Sequence, residues 1–263
     1  MIGKLGNVAE NIPKVYASGY DTGHTMGYQQ GESVGYEIGH STGLYEGKQA
    51  ECDAFWDDFQ RNGTLGDYRY AFSMWKINIF KPKYNLCPVN AGFMFNSFNS
   101  GAGHAIINLT AHLENLGVSL DTSKCTNFDT MFYYAWINRV PELDTRAASN
   151  VNNIFNSATR TITVDKIILK DDGSQTFTDS FYQCNVLANI EFEGVIGNSI
   201  DLKWSQLSAK SFVSTVEHLS STTSGKSATF KSSAVNNADW STTEYESWDA
   251  LIATKPNWSF SLA

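Results

Sequence analysis

Three carboxylate pairs are the first residues in this chain that could do chemistry: Asp57 and Asp58, Asp171 and Asp172, Glu191 and Glu193. A glycoside hydrolase holds a carboxylic acid and a carboxylate about 5–9.5 Å apart across a cleft. Immediate neighbours are ordinarily solvated. Glu191 and Glu193, placed on a strand, would share one face about 6.5–7 Å apart, a spacing that counts as coincidence unless a groove lies there. His24 and His40 are sixteen residues apart and read as solvated stand-ins for neighbouring tyrosines, not as metal ligands. Cys52, Cys87, Cys125 and Cys184 are far apart, without the CxxC or Cys/His spacing of a zinc site, and read as buried free thiols. Gly101-Ala-Gly-His104 lacks the Lys-Ser/Thr ending and preceding strand of a phosphate loop. Asp171-Asp-Gly-Ser174 is a turn signal, because a calcium loop needs further alternating carboxylates. No catalytic constellation emerges, so the chain reads as a non-enzyme with no cofactor and no metal.

Aromatic side chains are the better candidates for contact with a ligand. Tyr133, Tyr134, Trp136, Tyr182 and Trp204 fall at or near the turns of a repeat described below. Large aromatics are mostly buried in such units, so at least half are expected in the core, with Tyr134 and Tyr182 exposed as ligand-binding platforms.

Composition narrows the field further. The 263 residues are 42% hydrophobic and 17% charged, in the range of folded proteins. A net charge of −8 and no Lys/Arg cluster argue against nucleic acid, whose binding rests on cations releasing counterions. No stretch approaches the ~20 apolar residues of a membrane span, and Met1–Val15 lacks the apolar run of a signal peptide.

The elements that would position these residues begin with a glycine ladder. Gly19, Gly23, Gly27, Gly31, Gly35, Gly39, Gly43 and Gly47 recur every fourth residue. Each costs a helix roughly 1 kcal/mol relative to alanine, so an isolated helix would melt. Close approach of several helices across the bare stripe would compensate, and a period of four drifts by about 40° per step, favouring a right-handed wrap. A self-associating stalk, a trimer by expectation, is predicted; a flexible linker and an extended arrangement with all the glycines on one face are the competing readings. Residues 48–60 then form an amphipathic helix with Phe55, Trp56 and Phe59, stopping at Asn62-Gly63.

Behind the stalk the chain matches itself. Leu120–Ala135 aligns with Leu143–Ala158 at an offset of 23 residues; a looser copy spans Leu169–Cys184, and an earlier one Leu86–Phe98. Periods of 20–29 residues with a strand and a turn per unit mark leucine-rich repeats, which bury their apolar faces by stacking. Strands are predicted at Lys76–Phe80, Ile137–Leu143, Lys166–Lys170 and Asn189–Phe192. A helix is predicted from His104 to Gly117, another from near Ser205. A strand over Ser227–Lys231, a helix over Thr242–Ala253 and a last strand toward Leu262 complete the expected cap. The predicted fold is α+β: a helical stalk (1–63), a short degenerate leucine-rich-repeat-like solenoid (64–205) and a C-terminal cap (206–263).

From Ser119 onward the chain resembles the degenerate BspA-type leucine-rich repeats of bacterial surface proteins. The whole arrangement, from the ladder through Gln49–Gln60, Phe80–Tyr84, Asp165–Phe177 and Glu191–Gly197 to Asn257-Trp258, resembles hypothetical proteins from phages and prophages of gut bacteria. That resemblance implies a virion structural protein, tail- or fibre-associated, made in the bacterial cytoplasm without a signal peptide. Its partners would be itself, other virion proteins and a host surface glycan or protein, with neither nucleic acid nor membrane insertion. A bacterial surface adhesin and a glycan-acting tail enzyme are the alternatives.

Overall fold

The computed structural model describes Tyr68 and residues 71–73, 80–82, 85–98 and 107–263. The glycine ladder, the 48–60 helix, Cys52, the Asp57/Asp58 pair, Gly101–His104 and most of the strand expected at Lys76–Phe80 lie outside the described residues. Phe80 and Lys81 belong to one compact unit, and Tyr68, residues 71–73 and Pro82–Ala263 to another, described here.

Among the described residues every strand pair is parallel. Parallel neighbours need a long crossover, and here each crossover is one coil of the chain. The first sheet stacks β1 (Ile107–Asn108), β2 (Ile137–Val140), β3 (Leu143–Asp144), β4 (Thr163–Ile168) and β5 (Asn189–Glu193). β2 and β3 both lie along β4, with Arg139 opposite Thr163 and Leu143 opposite Ile167. The single strand expected from Ile137 to Leu143 is therefore broken, at Pro141, which has no N–H for the ladder. β4 starts three residues before the expected Lys166 and carries one extra residue against β5 between Val164 and Ile167, a bulge around Asp165 and Lys166.

On the opposite side of each coil the turn segments stack a spine of phenylalanines. Phe95, Phe132, Phe155 and Phe181 follow one another with ring centroids 5.4, 5.3 and 5.9 Å apart and interplanar angles of 7°, 12° and 22°. All four are buried. Each such ring contributes up to about 3 kcal/mol by leaving water, and stacking adds about 0.5–1.5 kcal/mol per pair. Buried Gln175 finds its partners between coils: it donates to Thr145 O (2.8 Å) and Ala148 O (3.2 Å) and accepts from Lys170 N–H (2.8 Å).

The coil from Phe95 to Phe132 is the longest, because it carries α1 (Leu109–Leu116). The helix expected from His104 begins later: Ile107 and Asn108 pair with β2, and the Asn108 side chain caps the helix by accepting from Ala111 N–H. It ends at Gly117, φ 67°, where Val118 N–H reaches back to Leu113 O (3.1 Å).

After β5 the two sides of the coil exchange roles. Where the next strand would lie, α2 (Ala209–Glu217) packs instead, starting at its cap Ser208 rather than near Ser205. Its Ser211 and Ser214 hydroxyls, one turn apart, accept from the β5 edge at Ile190 N–H (2.9 Å) and Phe192 N–H (2.8 Å). The turn side becomes a second sheet of β6 (Ile200–Leu202), β7 (Lys226–Phe230) and β8 (Trp258–Leu262). Gly197 permits the entry: a Cβ there would stand 2.3 Å from Gly173 O. The crossover between β7 and β8 contains α3 (Ser232–Asn236), a 3-10 turn (Trp240–Thr242) and α4 (Trp248–Ile252). The continuous helix expected from Thr242 to Ala253 is thus split, since the Thr243 hydroxyl binds its own backbone at Tyr245 and Ser247 caps a new start. Phe212, Phe230 and Trp248 meet edge to face, at 5.1–5.6 Å, in the core of this end.

Candidate functional site

The turn side of the coils presents the aromatic residues, and backbone conformation decides which way they face. Each turn segment holds two non-glycine residues in the left-handed region four positions apart: Phe93 and Ser97, Thr130 and Tyr134, Asn153 and Ser157, Asp179 and Gln183. Each costs roughly 1–2 kcal/mol relative to ordinary backbone, offset by hydrogen bonds from coil to coil. Phe93 N–H donates to Asp129 O (3.0 Å), Asn153 N–H to Thr178 O (2.9 Å) and Ser157 N–H to Tyr182 O (2.8 Å). Asparagines tie the turn entries together: Asn127 donates to Asn90 Oδ1 (3.0 Å), and Asn152 Oδ1 accepts from Thr178 N–H (2.8 Å).

Tyr134 and Tyr182 both lie on this surface, 49% and 40% exposed. They are not equivalent. Phe132, Phe155 and Phe181 hold the same place in successive coils, which aligns Tyr182 with Asn156 and Tyr133, and aligns Tyr134 with the left-handed Ser157 and Gln183. Two coils at strand spacing put the tyrosines about 10 Å apart along the stack. Each has an aromatic companion: Tyr133 beside Tyr134 at 4.4 Å, Trp204 beside Tyr182 at 5.6 Å, both edge to face. Trp136 is covered by the Arg160 guanidinium, 5.0 Å from its ring centre. The expectation that at least half of these five aromatics are core is corrected: two are exposed and three half-buried. The phenylalanine spine already fills the interior, so the following tyrosines are left outside.

The sheet side is charged. Arg139 meets Asp165 at 2.7 Å, and the Thr110 hydroxyl donates to the other Asp165 oxygen at 2.9 Å. Lys166 lies among Glu193 (3.1 Å), Glu142 (3.9 Å) and Glu191 (4.0 Å). Its hydrogen bond to Glu193 foremost raises the ammonium above the usual lysine range. Glu191 and Glu193 therefore serve one lysine together, with side chains 63% and 54% exposed. A groove of about 410 Å3 does run beside them, between β4, β5 and α2, lined by Asp165, Asn189, Glu191, Lys210 and Glu217 among others. Its carboxylates are engaged: Asp165 by Arg139, and Glu217 by the Tyr245 hydroxyl at 2.9 Å. Among the described residues no group of three or more His, Cys, Asp or Glu is placed to hold a metal ion.

The described cysteines are free, and they differ. Cys125 and Cys184 are buried, with thiols pushed up by burial to about 11 and about 12. Cys87 is exposed, which corrects the expectation of burial: it lies between buried Leu86 and buried Pro88 on a segment whose residues alternate inward and outward. The turn Asp171–Ser174 closes on itself, Ser174 N–H donating to Asp172 Oδ1 at 2.9 Å.

No protein-family model, no curated protein and no solved structure matches this chain.

Proposed function

We propose that the protein is a structural component of a phage particle, associated with the tail or fibre, which presents a leucine-rich-repeat-like solenoid for binding to a bacterial surface. The observation that carries the binding part is the outward row of aromatics on stacked coils: Tyr134 and Tyr182 stand exposed about two coils apart, each braced by a second ring. Rigid rings on a rigid repeat lose little entropy on contact and offer apolar faces with polar tips. A surface glycan or an exposed protein segment fits such a strip. The reading is of binding rather than catalysis, because the carboxylates beside the groove are engaged, Glu191 and Glu193 with Lys166, Asp165 with Arg139 and Glu217 with the Tyr245 hydroxyl. The virion part rests on the resemblance to phage and prophage proteins and on the glycine ladder, which would join copies into a stalk and multiply weak contacts into firm attachment.

Antibody raised against the chain should label purified phage particles carrying its gene and block their adsorption to host cells. Particles without the protein, or adsorption unaffected by the antibody, contradict the proposal. Replacing Gly31 and Gly35 by leucine should abolish assembly of the full chain, read as a fall in light-scattering mass; an unchanged mass removes the stalk from the proposal.

A further inference from the structure

The second sheet ends in β8, and its outer edge is open. Ala263 N–H donates to Phe230 O and Ser232 N–H to Ala263 O, both at 2.9 Å. Alternation along a strand then turns the main-chain groups of Ser259 and Ser261 toward β7, and those of Phe260 and Leu262 outward. Trp258 N–H is already taken by Lys255 O at 3.0 Å. The side chains are open as well. Leu202, Phe230 and Leu262 share one register position; the first two are fully buried, whereas Leu262 is 45% exposed. At the neighbouring position Ile200 and Ala228 are buried and Phe260 only half so.

Proteins ordinarily blunt an exposed strand edge with charge, proline, a bulge or a covering segment. Trp258-Ser-Phe-Ser-Leu262 has no charge and no proline, and its register with β7 is unbroken over the whole strand.

We infer that β8 is a pairing edge for a second copy of this chain, joined antiparallel about a two-fold axis through Phe260. Read against itself in that register, the strand is self-complementary. Phe260 faces Phe260 of the second copy, and the two exchange N–H to C=O bonds. Leu262 N–H meets the Trp258 carbonyl, so both free donors of each copy are satisfied. On the outer face Ser259 stands opposite Ser261, so no like charges meet. The apolar side chains of Phe260 and Leu262 gain the cover that the next coil provides elsewhere in the stack. Such a contact is isologous and closes at two copies, so it doubles whatever assembly the N-terminal region makes.

Two serine variants of the full-length protein test this by light-scattering mass. Both serines are exposed, and each variant should keep the wild-type circular dichroism. Ser259→Lys with Ser261→Lys sets ammonium against ammonium on both sides of the axis, and the mass per particle should fall by about half. Ser259→Lys with Ser261→Glu sets ammonium against carboxylate at the same places and should retain the wild-type mass. A double-lysine variant of unchanged mass overturns the inference, and so does an equal fall in both variants.

Discussion

The coils up to β5 and those after it solve the same stacking problem with different residues. In the first region the paired left-handed turn positions are held by Phe, Ser, Thr, Tyr, Asn, Asp and Gln, with Gly117 and Gly173 outside those pairs; after Gln183 the described left-handed residues are Gly194 and Gly225. The first region stacks phenylalanines face to face, whereas the second packs Phe212, Phe230 and Trp248 edge to face. A constant coil permits a repeated ring in one place and repeated hydrogen bonds that hold strained turns. Once a helix replaces the strand the repeat is lost, and the chain relies on glycine and on caps. Lys255 donates to Glu217 O and Leu219 O, and Trp258 Nε1 to Ser220 O at 2.8 Å, closing the end of α2.

The largest effect should come from the spine. Phe155→Ala removes a ring stacked on both sides and should cost about 4 kcal/mol in urea unfolding. Trp248→Ala should cost about 3 kcal/mol, with hydrogen exchange showing faster opening confined to the C-terminal coils, because coupling in a stacked array runs between neighbours. Equal exchange throughout would erase the distinction between the regions.

The junction comes next. Ser214→Ala leaves Phe192 N–H without its acceptor and should cost about 1–2 kcal/mol, whereas Ser233→Ala, on half-exposed α3, should stay within about 0.5 kcal/mol.

Alkali should act on the first region through its two buried thiols. Cys184 and Cys125 ionise later in the folded chain than in the unfolded chain, so the native state holds more protons above the ordinary thiol value of 9.0. Stability is then intact below about pH 9 and falls as pH rises toward 11 and 12. Cys184→Ala should flatten that fall. In native protein a thiol reagent should modify Cys87 and spare both buried thiols, read by mass spectrometry of peptides.

Exchanges at left-handed positions should have opposite signs in the two regions. Thr130→Gly relieves a β-branched residue at φ 53° and should stabilise by about 0.5–1 kcal/mol. Gly194→Ala, where a Cβ would stand 2.3 Å from Leu169 O, should destabilise by more than about 1 kcal/mol.

Much of the coil was legible because its signals are local and repeated. The 23-residue match between Leu120–Ala135 and Leu143–Ala158 located two coils, and the recurring Phe marked the spine. The exchange of sides after β5 was not legible. It depends on Ser211 and Ser214 meeting backbone more than twenty residues away, which an amphipathic pattern does not encode. Left-handed turns built from Phe93 and Thr130 were likewise hidden, since nothing in those residue types asks for positive φ. Tyr134 and Tyr182 could be nominated from their place after the spine, but their mismatch in register emerges only from the hydrogen bonds between coils. Asn90, Asn127 and Asn150 carry a signal of the turns, since each accepts from the N–H two residues on, a closure that asparagine favours.

Binding of labelled full-length protein to a panel of gut bacterial cells, for the wild type and for Tyr134→Ala with Tyr182→Ala, tests the central claim most directly. The account predicts saturable wild-type binding to at least one isolate and roughly tenfold weaker binding of the variant, the share expected of exposed aromatic anchors, with circular dichroism unchanged. Equal binding by both proteins, or no binding to any cell in the panel, would contradict it.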